Sequence, residues 1–191
     1  MRDDSTVVVP SSAPRSGSVL LSKIGHFGLK TLGWGFTGEF ADVKKMIVIV
    51  APHTSNWDWV LGIFFKWAIS VRFSYFIKRS LFFWPFSLVL RGTGGIPVNR
   101  DNPQGLLDDT AIYFQEMDKL YLAIAPEGTR KAVTRWKTGF LRIAYATGVP
   151  VVPIALDHQT RRIIVCPPLP LSGDMEQDLD SAKHVFRAYT P

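Results

Sequence analysis

Short, fully apolar runs alternate along the chain with stretches in which apolar residues recur every three or four positions, the pattern of buried strands followed by half-buried helices. Residues 46–50, Met-Ile-Val-Ile-Val, are the clearest such run and predict a strand covered on both faces. They lead straight into Ala51-Pro52-His53-Thr54-Ser55-Asn56-Trp57-Asp58, where three N-cap candidates, Thr54, Ser55 and Asn56, precede a helical pattern over residues 57–69. Further strands are predicted over 73–77, 96–99, 120–125, 151–156 and 162–166, and further helices over 80–90 (started or kinked at Pro85), 140–147 (closed by Gly148) and 174–189. Asn102 followed by Pro103 reads as a cap and first helical residue, with Leu106, Leu107, Thr110, Phe114 and Met117 behind them at helical spacing. Residues 19–36 read as a weakly amphipathic basic helix interrupted by glycines, lying either on the sheet or in a lipid headgroup layer. Residues 1–18, with Asp3, Asp4 and scattered Ser and Pro, read as a disordered start with no apolar core of signal-peptide length. Strands in alternation with helices argue for one α/β domain over residues 19–191: a largely parallel mixed sheet flanked by helices, with an N-terminal amphipathic helical segment.

In open α/β sheets the crevice outside the carboxyl ends of the strands is the usual ligand site, so His53 and Asp58 stand where catalysts are placed. On one continuous helix residues five apart point roughly 140° away from each other, at about 3.6 residues per turn. The two side chains meet only if His53 is on the loop and Asp58 in the first turns of the helix. There the carboxylate can fix the imidazole tautomer and stabilise the imidazolium, which makes the pair a general base. The plainer alternative is a helix-capping histidine and an acid placed favourably at the helix dipole.

Composition narrows the chemistry. One cysteine, Cys166, leaves no disulfide framework and no cysteine metal cluster, and the four histidines form no HExxH-type ligand pair, so no metal is expected. Hydrophobic residues make up 47% of the chain, yet no run of about twenty uncharged residues fits a membrane span. These features together predict a protein that lies on a membrane without crossing it. The net charge is +6, and residues 59–100 contain no acid while carrying Lys66, Arg72, Lys78, Arg79, Arg91 and Arg100. The contiguous Leu81-Phe82-Phe83-Trp84-Pro85-Phe86 suits a lipid interface better than spaced platforms for nucleic-acid bases, so an anionic lipid or small molecule is the expected partner and nucleic acid is not.

Two more strand ends carry charge. Gly94-Gly95-Ile96-Pro97-Val98-Asn99-Arg100 and Ala125-Pro126-Glu127-Gly128-Thr129-Arg130 each place an arginine beyond a strand, and two arginine forks from neighbouring strand ends could clamp one phosphate. Glu127 would hold Arg130 or accept from a substrate hydroxyl, and Lys78 joins Gly128 and Thr129 as a candidate substrate-binding residue.

The four segments resemble, in order, the sequence blocks of the glycerolipid acyltransferases that acylate lysophosphatidic acid (1-acylglycerol-3-phosphate). His53 to Asp58 is similar to the H-x4-D block, Gly95 to Arg100 to the second, Glu127-Gly128-Thr129-Arg130 to the E-G-T-R block, and Val149-Pro150-Val151-Val152-Pro153-Ile154 to the proline-bearing fourth. The resemblance, covering roughly residues 45–165, implies that His53 deprotonates the acceptor hydroxyl with Asp58 orienting it. It implies that Arg100, Glu127 and Arg130 hold the acceptor head group and that residues 149–154 line the acyl side. Pro97 stands where many members have an aromatic residue and Asn99 where many have Asp, which leaves the acceptor's identity open. The implied reaction needs no cofactor beyond its co-substrate, acyl-CoA or acyl carrier protein. The acceptor is a lysolipid and the place the cytoplasmic face of a membrane, as a peripheral or monotopic protein. With no G-x-S-x-G elbow, no covalent acyl-enzyme is required. The rival expectations are a hydrolase that passes the acyl group to water, transfer to a lyso-aminolipid, and a non-catalytic module that binds anionic membranes.

Overall fold

In a computed structural model of the chain, which describes residues 5–53, 55–99, 103–128 and 136–189, the alternation resolves into one mixed sheet with helices on both faces. In chain order the strands are β1 (Thr6–Val8), β2 (Gly35–Glu39), β3 (Lys45–Ala51), β4 (Phe73–Lys78), β5 (Gly95–Val98), β6 (Leu120–Ile124), β7 (Val151–Asp157) and β8 (Arg162–Val165). The helices are α1 (Val19–Thr31), α2 (Asn56–Ala68), α3 (Phe86–Gly92), α4 (Pro103–Glu116), α5 (Gly139–Thr147) and α6 (Met175–Arg187). The sheet order is β1-β2-β8-β7-β3-β6-β4-β5, and each pair of neighbours is parallel except β7 and β8. The expected α/β class, largely parallel sheet and helical N-terminal segment are all present.

The run at 46–50 is central because it feeds two cores. Met46 and Val48 pack with Leu29, Leu61, Phe65 and Tyr121 beneath α1 and α2, while Ile47 and Ile49 pack with Phe114, Phe140, Leu141 and Phe186 beneath α4, α5 and α6. Side chains alternate between faces along a strand, so a strand covered on both sides must be apolar at every position.

Three expectations change. Residues 5–18 are not a loose tail: β1 pairs with β2, Ala13 is fully buried, and the Arg15 guanidinium donates to the Val9 carbonyl at 2.8 Å. The helix expected over 19–36 ends at Thr31 and gives way to β2. The helix expected over 80–90 narrows: Arg79–Leu81 forms a 3-10 turn, and α3 starts at Phe86 with Pro85 as its N-cap, the start that the proline marks. The proposed Asn102 cap of α4 lies outside the described residues.

The glycines of α1 do not interrupt it; they let it approach α2. A Cβ on Gly25 would stand 2.4 Å from both the Phe64 carbonyl oxygen and the Ala68 nitrogen, which are backbone atoms that cannot step aside. Gly25→Ala is therefore expected to lose about 1–3 kcal/mol of stability from overpacking, outweighing the gain of about 1 kcal/mol in helix propensity. Gly62→Ala, where nothing lies within 4 Å, shows the propensity gain alone. Urea melts of the two variants should move in opposite directions.

Asp178 anchors α6. Burial by itself would raise its pKa, but the Tyr145 hydroxyl at 2.6 Å, the Ser172 amide and hydroxyl at 2.8 and 2.7 Å and the Gly173 amide at 3.1 Å all donate to the carboxylate and hold it down to about 2. A depressed folded-state pKa supplies stability above the unfolded value of 3.8 that is lost as the pH falls through about 2. Asp178→Asn is expected to cost roughly 2 kcal/mol at neutral pH. In urea titrations the gap between wild type and variant should close as the pH is lowered through that window.

Candidate active site

Strands β7, β3, β6, β4 and β5 run in one direction, so their carboxyl ends share one edge of the sheet. Register sets what meets there. Ala51 lies opposite Ala155 and Ile49 opposite Ile124, so the chain leaves β7, β3 and β6 at similar levels, with His158, His53 and Glu127 just beyond.

Ser55 is the N-cap of α2: its hydroxyl accepts from the Trp57 amide at 3.1 Å, and Asp58 reaches back to accept from the Ser55 amide through Oδ2 at 2.7 Å. This capping box turns the Asp58 carboxylate toward the preceding loop. The same Oδ2 lies 3.5 Å from Nδ1 of His53. The loop and first-turn placement thus joins two residues that a continuous helix would hold apart. The Asp58 side chain is 0% exposed and that of His53 23% exposed, so a buried carboxylate backs an imidazole that reaches the surface.

Glu127 holds the loop in place. Both of its carboxylate oxygens accept from the His53 backbone amide at 3.1 Å, tying the end of β3 to the turn after β6. Burial raises its pKa, the His53 amide partly opposes that, and the charge of Asp58 adds to the rise. Gly128 follows at φ +66°, a backbone conformation that glycine adopts without strain. The side chain of Lys137 lies across it, with Cε 2.7 Å from where a Cβ would stand.

The other expected site residues are placed unequally. Lys78 is exposed at the end of β4, on the same sheet edge, with β6 between it and β3 and so about 10 Å from the His53 strand at the usual strand spacing. Arg100, Thr129 and Arg130 lie outside the described residues. Residues 151–154 begin β7 and are buried in the sheet, at the edge opposite the site. Of the basic residues in the acid-free stretch, Lys66 faces inward: its ammonium donates to the Thr93 carbonyl at 2.7 Å, and burial lowers its pKa to about 8.

His158 and Lys137 were not marked as site residues by sequence reasoning. His158 Nε2 stands 3.5 Å from the other oxygen of Asp58, Oδ1. Beside it an open cavity of about 380 Å³ is lined by Leu32, Trp34, Trp57, Leu61, His158 and Arg161. The available signal was an imidazole directly after an apolar strand, the same arrangement that marked His53.

Comparison with known proteins extends the picture. A family model described as Acyltransferase matches residues 35–157. The 1-acyl-sn-glycerol-3-phosphate acyltransferase of Escherichia coli (strain K12) is 27% identical over 123 residues, 61% of this chain and 49% of that protein. The enzyme of the same name from Salmonella typhimurium is 27% identical over 122 residues, with the same coverage of both chains. The chain thus spans about half the length of the curated relatives it matches. The crystal structure of the 1-acyl-sn-glycerophosphate (LPA) acyltransferase PlsC from Thermotoga maritima superposes with a TM-score of 0.61 at 18% identity, over 89% of this chain and 77% of that one, a likeness of fold.

Proposed function

Because the chain belongs to the acyltransferase family, we propose that it moves a fatty acyl group from an acyl thioester, on CoA or acyl carrier protein, to a hydroxyl of a lysophospholipid such as 1-acylglycerol-3-phosphate. The observation that supports this most is the His53–Asp58 pair at the carboxyl edge of the sheet, 3.5 Å apart and backed by burial. With Nδ1 turned to the carboxylate, Nε2 of His53 takes the proton of the acceptor hydroxyl as its oxygen attacks the thioester carbonyl carbon. The C–S bond then breaks, and the departing thiolate receives the proton from the imidazolium. A base at hydrogen-bond distance contributes about 10²–10⁴-fold, and such contacts commonly tighten once substrate is bound. Glu127 fixes the loop that carries His53. Arg100, Gly128, Thr129 and Arg130, by their likeness to the family blocks, and Lys78, by its charge and place, receive the anionic head group.

Incubating the protein with isotopically labelled acyl-CoA or acyl carrier protein thioester and a panel of lysolipids, followed by mass spectrometry, tests this reading. Label in a diacyl glycerophospholipid is the expected result. Label in an aminolipid would move the acceptor assignment, and label released only as free acid would make the protein a hydrolase.

A lipid substrate implies a lipid surface, and two exposed apolar faces fit one. Val19, Leu20 and Phe27 of α1 form the first, and Leu81, Phe83, Trp84, Phe86 and Leu88, flanked by Lys78, Arg79 and Arg91, form the second. Among the described residues no helix is long and apolar enough to cross a membrane. The proposal is therefore a monotopic seat on the cytoplasmic leaflet, with basic residues against anionic head groups. Trp84→Asp, at a side chain 81% exposed, is expected to weaken co-sedimentation with phosphatidylglycerol vesicles by at least about tenfold, since burying one such ring contributes about 1.5–3 kcal/mol. Unchanged binding would move the lipid contact elsewhere.

A further inference from the structure

We infer that His158 is a positioning residue of the same site, holding the second oxygen of Asp58 so that the carboxylate keeps Oδ2 toward His53; the inference rests on the base assignment above. The two imidazoles flank one buried carboxylate almost symmetrically: His53 Nδ1 to Oδ2 is 3.5 Å and His158 Nε2 to Oδ1 is 3.5 Å. Nothing in the local sequence requires this. It follows from the parallel pairing of β7 with β3, which brings together residues about a hundred positions apart.

Two features place His158 beside the carboxylate, one through its backbone and one through its ring. The Asp157 carboxylate accepts from the Gln159 and Thr160 amides at 2.9 and 3.1 Å and from the Thr160 hydroxyl at 2.5 Å, which sets the turn between β7 and β8. The indole of Trp34, just before β2, meets the His158 ring edge-on, with centroids 5.2 Å apart and planes at 88°. Nε2 faces Asp58, and the side chain, 37% exposed, also lines the cavity.

The physical need is clear. A carboxylate taken fully out of water must be met by donors at both oxygens, and a carboxylate free to rotate gives its partner imidazole no fixed tautomer. The Ser55 amide donates to Oδ2, which His53 also faces, and Nε2 of His158 stands 3.5 Å from Oδ1, placed so that a proton there would serve it. His158 touches no reacting atom; it acts through Asp58. It also lies one residue past the segment matched by the family model, residues 35–157.

Steady-state kinetics of the full chain with an acyl-CoA and 1-acylglycerol-3-phosphate test this. His158→Ala is expected to lower kcat by about 10–100-fold, the usual cost of losing a partner that orients an active group, with KM for both substrates within about twofold, because only the reacting geometry changes. His158→Gln, whose amide nitrogen reaches where Nε2 stood, should recover most of the loss. In an Asp58→Asn background His158→Ala should cost little more, since the two residues act as one unit. A merely structural histidine would lower Tm and leave the kcat of the folded fraction alone. Imidazole ¹⁵N shifts give a readout independent of turnover: the protonated nitrogen of His53 should be Nδ1 in wild type and become mixed in His158→Ala. Unchanged kcat and unchanged shifts, while His53→Ala is inactive, would overturn the role of His158 alone. Activity surviving in His53→Ala would overturn the base assignment instead.

Discussion

His53→Ala is expected to lower kcat for acyl transfer by about 10²–10⁴-fold, the contribution of a well-placed general base, while the protein stays folded. The two outcomes separate because the residue has two connections. Its side chain faces Asp58, whereas its backbone amide is what both Glu127 oxygens hold, and alanine keeps that amide. Tm should fall by no more than about 2–4 °C, the shift produced by roughly 1 kcal/mol in a domain of this size. The measurement is initial rate with purified variant, checked by a thermal melt. Transfer at more than a tenth of the wild-type rate by a folded variant would falsify the base assignment.

Asp58→Asn should lose about as much, 10²–10⁴-fold in kcat, for a different reason. Asparagine keeps an acceptor oxygen that can still close the capping box on the Ser55 amide, now 2.7 Å from Oδ2, so α2 should start as before. That oxygen, at the place of Oδ2, also keeps an acceptor toward Nδ1 of His53, but the amide carries no charge and its NH2 stands where Oδ1 faced His158. The imidazolium that forms as Nε2 takes the substrate proton then has no counter-charge behind it. Asp58→Ala adds the loss of the cap, about 1 kcal/mol, so it should melt lower than Asp58→Asn at similar residual activity. If Asp58→Asn retained wild-type kcat, the carboxylate would be a helix cap and nothing more.

How far the site was legible depended on whether its parts are joined along the chain. His53, Ser55 and Asp58 lie within six residues, so strand end, cap and first turn could be placed from spacing alone, and the fold brings the two side chains to 3.5 Å. Glu127 was recognisable as a charged residue at a strand end, but not that it grips the His53 amide, because that needs β6 to lie beside β3. His158 was passed over for the same reason: nothing local to residues 151–158 says which strand β7 will pair with. Strand β2 escaped notice because Gly-Phe-Thr-Gly-Glu has one large apolar residue and no alternation. It pairs because Gly38, at φ +116°, lets the backbone pass where a Cβ would sit 2.2 Å from the Val165 carbonyl oxygen. The loss of helix beyond Thr31 follows, since residues 35–39 are taken into the sheet.

The amino-acid order by itself determined that strands alternate with helices, that 46–50 must be covered on both faces, and that a histidine and an aspartate sit where such a strand opens into a helix. These are matters of local period, capping and turn chemistry, decided over a few residues. The tertiary structure alone decided the sheet order, and with it that Glu127 and His158 approach the same pair from either side of β3 and that α1 lies close enough to α2 to require Gly25. The reason is that strand pairing is settled by the burial of whole faces against one another, a sum over residues distant in the chain. A single side chain at the edge carries no record of the neighbour it will meet.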